Sequence, residues 1–148
     1  MRVEHYSDYY REDVVNIIEE FHRDYLTGYY GSSQKEIINN TISSFEGERA
    51  KNSFLLIIDG HCVGLLAGLE INSLLNTERF FQEIIWYVKK PFGRFAFYLI
   101  KQAKIMLKSY GFSNIIMAVI ENSKARRVEK IYESLGFNRL ETHYIISL

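Results

Sequence analysis

The sequence predicts an α/β (α+β) fold in which helices cover a mixed, mostly antiparallel sheet, and three observations support this. In the first half, two apolar segments flank Asp59-Gly60, a two-residue turn that suits an antiparallel hairpin. In the second half, apolar strands alternate with segments of helical spacing. The predicted order is β-α-α-β-β-β-α-β-α-β, with hairpins before helix crossovers. We therefore expect roughly six to seven strands and about four helices.

The N-terminal part of the chain predicts one strand and two helices. Residues 2–6 alternate weakly, and residues 9–26 carry apolar side chains at helical spacing after the capping pair Ser7-Asp8. A second helix is expected between Ser32-Ser33 and Gly47, a glycine that favours a helix end.

The remaining strands are predicted from apolar and β-branched segments bounded by turn residues. An amphipathic helix is expected between Pro91 and Gly111, and another over residues 123–135. Because no repeat or linker interrupts the pattern, we expect a single domain over residues 1–148. The expected strands are residues 53–58, 62–71, 80–88, 115–120 and 140–146.

Composition argues against several classes of function. Eighteen basic and eighteen acidic residues cancel, whereas nucleic-acid binders usually carry a basic surface that neutralises phosphates. No segment has the length of a signal peptide core or a membrane span. The single cysteine, Cys62, fits a reducing compartment. We therefore expect a cytoplasmic protein that binds neither nucleic acid nor membrane.

Metal chemistry is not predicted. The four histidines lack metal-ligand spacing, and no cysteine joins them in a cluster. Cys62 itself is expected to be a small buried hydrophobe rather than a nucleophile.

Three local features of the second half resemble one family. The first is a strand ending in Trp86-Tyr87-Val88, followed by a short turn and a helix that ends at Tyr110-Gly111. The second is the strand 115–120 followed by Asn122, and the third is the segment from Tyr132 to Gly136-Phe137. Together with the order of elements, they resemble the GCN5-related N-acetyltransferase (GNAT) superfamily over roughly residues 53–146. The resemblance implies a sheet that is splayed at the strands ending near Val88 and Ile120.

The resemblance implies that acetyl-CoA binds as cosubstrate, with its pyrophosphate at a helix N-terminus. The family loop reads Arg/Gln-x-x-Gly-x-Gly/Ala. Here Pro91 replaces the leading Arg/Gln, Arg94 replaces the first glycine, and the turn looks about two residues shorter. Charge pairing by lysine or arginine with phosphate offsets this loss. The loop residues expected to contact the cofactor are Lys90, Gly93, Arg94, Phe95 and Ala96.

Other site residues follow from the same resemblance. Main-chain groups of Tyr87 and Val88 would bind the pantetheine, and Asn122 would touch it. The alternative for Asn122 is an ordinary turn residue. Tyr29 and Tyr30, between the first two helices, would shape the acceptor pocket, unless they pack on the core.

Two residues are candidates for proton transfer. Glu83 interrupts an apolar strand, and burial would raise its pKa to a value that suits a general base. The alternative is a solvent-facing or ion-paired carboxylate. Tyr132 matches the family tyrosine that protonates the leaving thiolate, although a tyrosine at this spacing can also be a core aromatic.

The leading functional hypothesis is therefore acetyl transfer to an amine by direct attack in a ternary complex. The acceptor stays open among a small molecule, a lysine side chain and a protein N-terminus. Two alternatives remain: an inactive GNAT-fold binding or structural module that has lost tight CoA binding, and a domain that binds a partner protein through Tyr29-Tyr30 and the aromatic strand. The aromatic content is also compatible with a homodimer.

Overall fold

The computed structural model describes residues 1–26, 34–45, 47–72, 77–120 and 124–140. The chain divides into two compact units, residues 1–118 and 119–148. The first unit contains the sheet and three of the helices, and the second contains the last helix.

Within the described residues, five strands form one sheet, and their order in the sheet equals their order in the chain. The first four pair antiparallel and the last pair is parallel. This confirms a mixed, mostly antiparallel sheet. The strands are β1 (Arg2–His5), β2 (Ser53–Ile58), β3 (His61–Asn72), β4 (Arg79–Val88) and β5 (Asn114–Ile116).

The predicted strand over residues 115–120 is shorter in the structure, because β5 ends at Ile116. Apolar character alone does not decide where a strand ends, since a strand also needs a neighbour to pair with. The predicted strand over 140–146 falls largely outside the described residues, so the expected sixth strand stays a prediction.

The four helices follow the predicted amphipathic segments. They are α1 (Arg11–Phe21), α2 (Gln34–Ser43), α3 (Ala96–Ser109) and α4 (Ala125–Ser134). None of these described helices is long and apolar enough to cross a membrane. A π-helical turn, His22–Leu26, extends α1, and a 3₁₀ helix, Lys90–Phe95, precedes α3. Pro91 fits the first turn of that 3₁₀ helix because proline has no N–H to leave unpaired there.

The core lies on both faces of the sheet, and β3 is covered on both. On one face, Leu65 and Ala67 of β3 belong to the apolar cluster that also contains Val14 and Ile17 of α1. We call this the α1 face. Leu66, which follows Leu65 and therefore points the other way, is equally buried, and α3 packs against β3 as well.

The C-terminus of α3 is fixed by a glycine in the left-handed region. Gly111 has a φ of +81°. Its N–H donates to the carbonyl of Lys108, and the N–H of Phe112 donates to the carbonyl of Leu107, both at 3.1 Å. This is the hydrogen-bond pattern of a Schellman motif, which satisfies the last carbonyls of a helix.

Arg79 ties the end of α3 to the β3–β4 hairpin. Its guanidinium binds Glu70 through two hydrogen bonds of 2.7 and 2.9 Å, donates to the carbonyl of Tyr110, and lies 4.5 Å from the centre of the Phe112 ring. A planar fork of this kind cannot be reproduced by lysine. Tyr110 in turn contacts His5 of β1 through its hydroxyl, at 2.8 Å.

We expect Arg79→Ala to lower the free energy of unfolding, because it removes the two-point carboxylate contact and the ring contact together. Arg79→Lys should recover less than half of this loss. The hydrogen bond from Arg79 lowers the pKa of Glu70, against the effect of burial. The contribution is therefore present above the ordinary glutamate pKa and is lost as pH falls through the lowered value. Urea unfolding at neutral and acidic pH measures this contribution. Equal stability of Arg79→Ala and Arg79→Lys with the wild type would contradict a stabilising role for the Arg79 contacts.

Candidate active site

A β-bulge in β4 marks the centre of the candidate site. Gly68 of β3 pairs with Glu83, but the adjacent Ala67 pairs with Ile85, so Ile84 has no partner across this ladder. Phe81, before the bulge, contacts the rings of Phe54 and Phe112. Ile85, after it, belongs to the cluster on the α1 face. The extra residue thus changes the face to which odd-numbered residues point, and such bulges are common beside active sites.

The sheet opens between β4 and β5 at the same level. The parallel pairing covers only Phe80 to Gln82 of β4 against β5. Beyond Gln82, β4 continues to Val88 with no strand beside it on that edge among the described residues. Among the described residues, the β4–β5 pairing therefore stops at Gln82 and Ile116. The splay near Val88 and Ile120 and the main-chain pantetheine site stay predictions.

Glu83 lies at the fork of this opening. Its side chain is half-buried, and its Oε2 accepts a hydrogen bond from the N–H of Ala118 at 3.0 Å. Burial raises the pKa of Glu83 to about 7, while the Ala118 hydrogen bond acts in the opposite direction. No ion pair with Glu83 occurs in the described part of the chain. Glu83 is thus neither fully exposed nor ion-paired among the described residues, and its role as general base stays a prediction.

The side chain of Tyr87 points away from the opening, toward α1. Its hydroxyl donates toward Asp24 at 3.1 Å and Glu20 at 3.3 Å, and its ring contacts Phe21 and Tyr25 edge-on. Burial, followed by the two carboxylates, raises the pKa of Tyr87. The Tyr87 side chain is therefore engaged with α1 and the π-helical turn, and the main-chain pantetheine contacts of Tyr87 and of Val88, the last residue of β4, stay predictions.

Two lysines after β4 neutralise these carboxylates. Lys90 Nζ lies 3.2 Å from Asp24, and Lys89 Nζ lies 3.9 Å from Glu20. Although burial works against it, hydrogen bonds from Lys90 and Tyr87 lower the pKa of Asp24. Lys90, predicted to meet phosphate, is paired with a carboxylate instead. Its side chain is 75% exposed, so the pair is weak and Lys90 can exchange partners.

The sequence analysis did not identify this cluster of acids, lysines and tyrosine. One signal was present, because Glu20 and Asp24 are four residues apart and fall on one side of a helix. The π-helical turn that contains Asp24 has no comparable signature.

The predicted phosphate loop forms a 3₁₀ helix that leads directly into α3. The N–H of Ala96 donates to the carbonyl of Gly93, and the Arg94 guanidinium stacks on the Phe95 ring at 4.8 Å. Gly93 is exposed, and a Cβ there would meet no atom of the other described residues within 4 Å, apart from its chain neighbours. The one glycine of this turn therefore lies open near the positive end of the helix dipole.

Tyr132 belongs to the second unit, where α4 ends in the same way as α3. Gly136 has a φ of +84°, and the N–H groups of Gly136 and Phe137 donate to the carbonyls of Glu133 and Tyr132, both at 3.0 Å. The Tyr132 ring is buried and contacts Phe137 at 5.4 Å. This completes a Schellman motif with its usual apolar contact. The spacing from tyrosine to Gly-Phe thus has a structural cause of its own.

Three predicted residues, Tyr29, Tyr30 and Asn122, lie outside the described part of the chain. Cys62 is buried as expected, and burial raises the pKa of its thiol to about 12. Its main-chain N–H donates to Asp13 at 2.8 Å. Over the described ranges, no group of three or more His, Cys, Asp or Glu side chains could hold a metal ion.

Comparison with known proteins gives matches to solved structures. No protein-family model matches the sequence, and no curated protein does. A probable acetyltransferase aligns over 100% of this chain and 98% of its own, with a TM-score of 0.77 and 17% identity. An aminoglycoside 6'-N-acetyltransferase from Acinetobacter haemolyticus aligns over 100% and 98%, with a TM-score of 0.71 and 15% identity.

A ribosomal-protein-alanine N-acetyltransferase from Brucella melitensis biovar Abortus 2308 aligns over the full length of both chains, with a TM-score of 0.76 and 12% identity. At these identities, the TM-scores show a shared fold. The protein therefore has the fold of the GCN5-related N-acetyltransferases, as the sequence predicted.

Proposed function

We propose that this protein is a single-domain, acetyl-CoA-dependent N-acetyltransferase that transfers an acetyl group to an amine in a ternary complex. The observation that carries the proposal is the position of Glu83, which lies where β4 and β5 separate and has a pKa raised to about 7. A carboxylate with that pKa is more basic than an ordinary glutamate and is still substantially ionised near neutral pH. It can therefore accept a proton there.

The reaction needs two proton transfers. The amine nitrogen attacks the thioester carbonyl carbon, and its proton passes to the Glu83 carboxylate, directly or through water. The carbon–sulfur bond then breaks, and the thiolate takes a proton from the Tyr132 hydroxyl. We assign the pantetheine contacts to main-chain groups of Tyr87 and Val88 and, by the family resemblance, to Asn122.

The turn before α3 would hold the pyrophosphate. The open space at Gly93 fits close approach of a phosphate to the backbone. Arg94 and Lys90 lie on the same turn and supply positive charge, and Phe95 and Ala96 complete it. Lys90 would leave Asp24 to do so, which a weak, exposed pair permits. This arrangement supports the enzyme over the alternative of a module that no longer binds CoA.

The acceptor stays a primary amine of unspecified class. Similar structures include enzymes named for an aminoglycoside and for a ribosomal-protein alanine, so the fold does not choose among small molecules, lysine and protein N-termini. Tyr29 and Tyr30 are proposed to shape that pocket. A cytoplasmic location fits the presence of one cysteine, Cys62, in the whole sequence.

Calorimetric titration with acetyl-CoA should give saturable binding, and dephospho-CoA should bind less tightly if basic side chains hold the 3′-phosphate. We expect Gly93→Ala to weaken acetyl-CoA binding about tenfold, because the added methyl occupies space that the phosphate needs. The same variant should unfold at the wild-type temperature, since that methyl would meet no other described residue within 4 Å, apart from its chain neighbours. If neither acetyl-CoA nor dephospho-CoA bound to the wild type, the result would support the inactive module instead.

Glu83→Gln should lower kcat by about 10² to 10⁴-fold, because the amide keeps the acceptor for the Ala118 N–H but cannot take a proton. In the wild type, kcat/KM should rise with pH through about 7 as Glu83 loses its proton, and this limb should be missing in the variant. Glu70→Gln is the matched control. It makes the same substitution on β3, at a carboxylate that contacts Arg79, and should leave kcat unchanged. Full turnover by Glu83→Gln would exclude Glu83 as the base.

Tyr132→Phe should lower kcat by about 10²-fold, since the ring contact with Phe137 remains and only the hydroxyl is lost. Steady-state kinetics with acetyl-CoA measures this effect. Tyr9→Phe removes a hydroxyl from a side chain that is 83% exposed and should leave kcat unchanged. Equal rates for both variants would mean that Tyr132 serves only the helix end.

A further inference from the structure

β4 leaves no room for a side chain at Gly68, the residue of β3 that pairs with Glu83. A Cβ built on Gly68 would lie 2.3 Å from the carbonyl oxygen of Gln82 and 2.6 Å from the Phe81 ring. Both distances are far below van der Waals contact. Because the nearer atom belongs to the main chain, β4 itself would have to move to accommodate a side chain.

That movement would fall on the residues that place Glu83. Gln82 is the last residue of β4 that pairs with β5, and Glu83 is the next residue along the chain. Its carboxylate reaches the N–H of Ala118, two residues beyond the end of β5. If the movement carries the Glu83 carboxylate about 1 Å away from Ala118, this 3.0 Å hydrogen bond is lengthened beyond hydrogen-bonding distance.

The bulge and the glycine depend on each other. Ile84 is the residue left out of the ladder, and it is 44% exposed. With Ile84 looped out, the backbone of β4 bends toward β3 just before it, and only a residue without a side chain fits there. Gly64, on the same strand, is less restrictive, since its Cβ would first meet a side-chain methyl of Val88 at 2.9 Å and would stay 3.3 Å from the main-chain carbonyl oxygen of Tyr87.

We propose that Gly68 is a positioning residue, whose missing side chain allows the bulge that holds the Glu83 carboxylate against the Ala118 N–H. The catalytic meaning of this placement rests on the proposed function, but the placement itself does not. Among the described residues, burial and the hydrogen bond from the Ala118 N–H are the two causes that shift the Glu83 pKa. A change in the position of the Glu83 carboxylate should therefore change the NMR signal of the Ala118 amide.

The test is the pH dependence of the Ala118 amide resonance in two-dimensional NMR spectra of the full chain. In the wild type, this resonance should titrate with a midpoint near pH 7 as Glu83 ionises, and Glu83→Gln should abolish the titration. In Gly68→Ala, the titration should disappear and kcat should fall about tenfold or more. Gly60→Ala is the control: it strains the β2–β3 turn, where φ is +85°, and should keep both the titration and kcat.

Deletion of Ile84 tests the same geometry without adding an atom at position 68. Glu83 opposite Gly68 and Ile85 opposite Ala67 would then be consecutive pairs of a regular ladder, so buried residues keep their faces and the chain can fold. The Ala118 titration should again disappear. Its persistence in either folded variant, or its absence from the wild type, would overturn the proposal. Loss of the titration with unchanged kcat would uphold the placement and refute Glu83 as the base.

Discussion

The burial of β3 on both faces is the constraint on which the rest of the first unit depends. Leu65 and Leu66 point in opposite directions and both are inaccessible to solvent. A strand covered on both faces exposes apolar surface if its register slips by one residue along its length. β3 accommodates one irregularity, at Val63, which is left out of its ladder with β2. The irregularity that concerns the site lies on β4, at Ile84, beside the edge that β5 pairs only in part. β3 thus supports the site, and β4 carries Glu83.

Much of this arrangement could be predicted from the sequence, for identifiable reasons. The hairpin at Asp59-Gly60 gave the bounds of β2 correctly and those of β3 to within one residue, because turn chemistry acts locally. The amphipathic repeat gave α3. The bulge was not predicted, because Ile84 looks like any apolar strand residue and Gly68 like any glycine in a strand. A bulge depends on two strands together, and no single segment encodes it.

In the candidate site too, features encoded by one segment were predicted, and contacts between distant segments were not. Glu83 was identified because a carboxylate in an apolar strand is locally conspicuous, whereas its contact with Ala118 joins residues far apart in the sequence. The lysine–carboxylate cluster was missed because the overall charge balance conceals local pairing. Eighteen positive and eighteen negative residues give a net charge of zero, yet the fold brings Asp24 and Lys90, which are far apart in the sequence, into an ion pair. Net charge describes the behaviour of the molecule at long range and says little about a site.

The two helix ends have a consequence for how such chains are recognised. α3 and α4 both end with a left-handed glycine followed by phenylalanine, and the same two hydrogen bonds close each helix. In α4, the phenylalanine also packs on the tyrosine one turn back. A sequence pattern built on that segment therefore detects a way of stopping a helix. A descendant that had lost its chemistry would still carry it, so the pattern traces ancestry and folding more faithfully than activity.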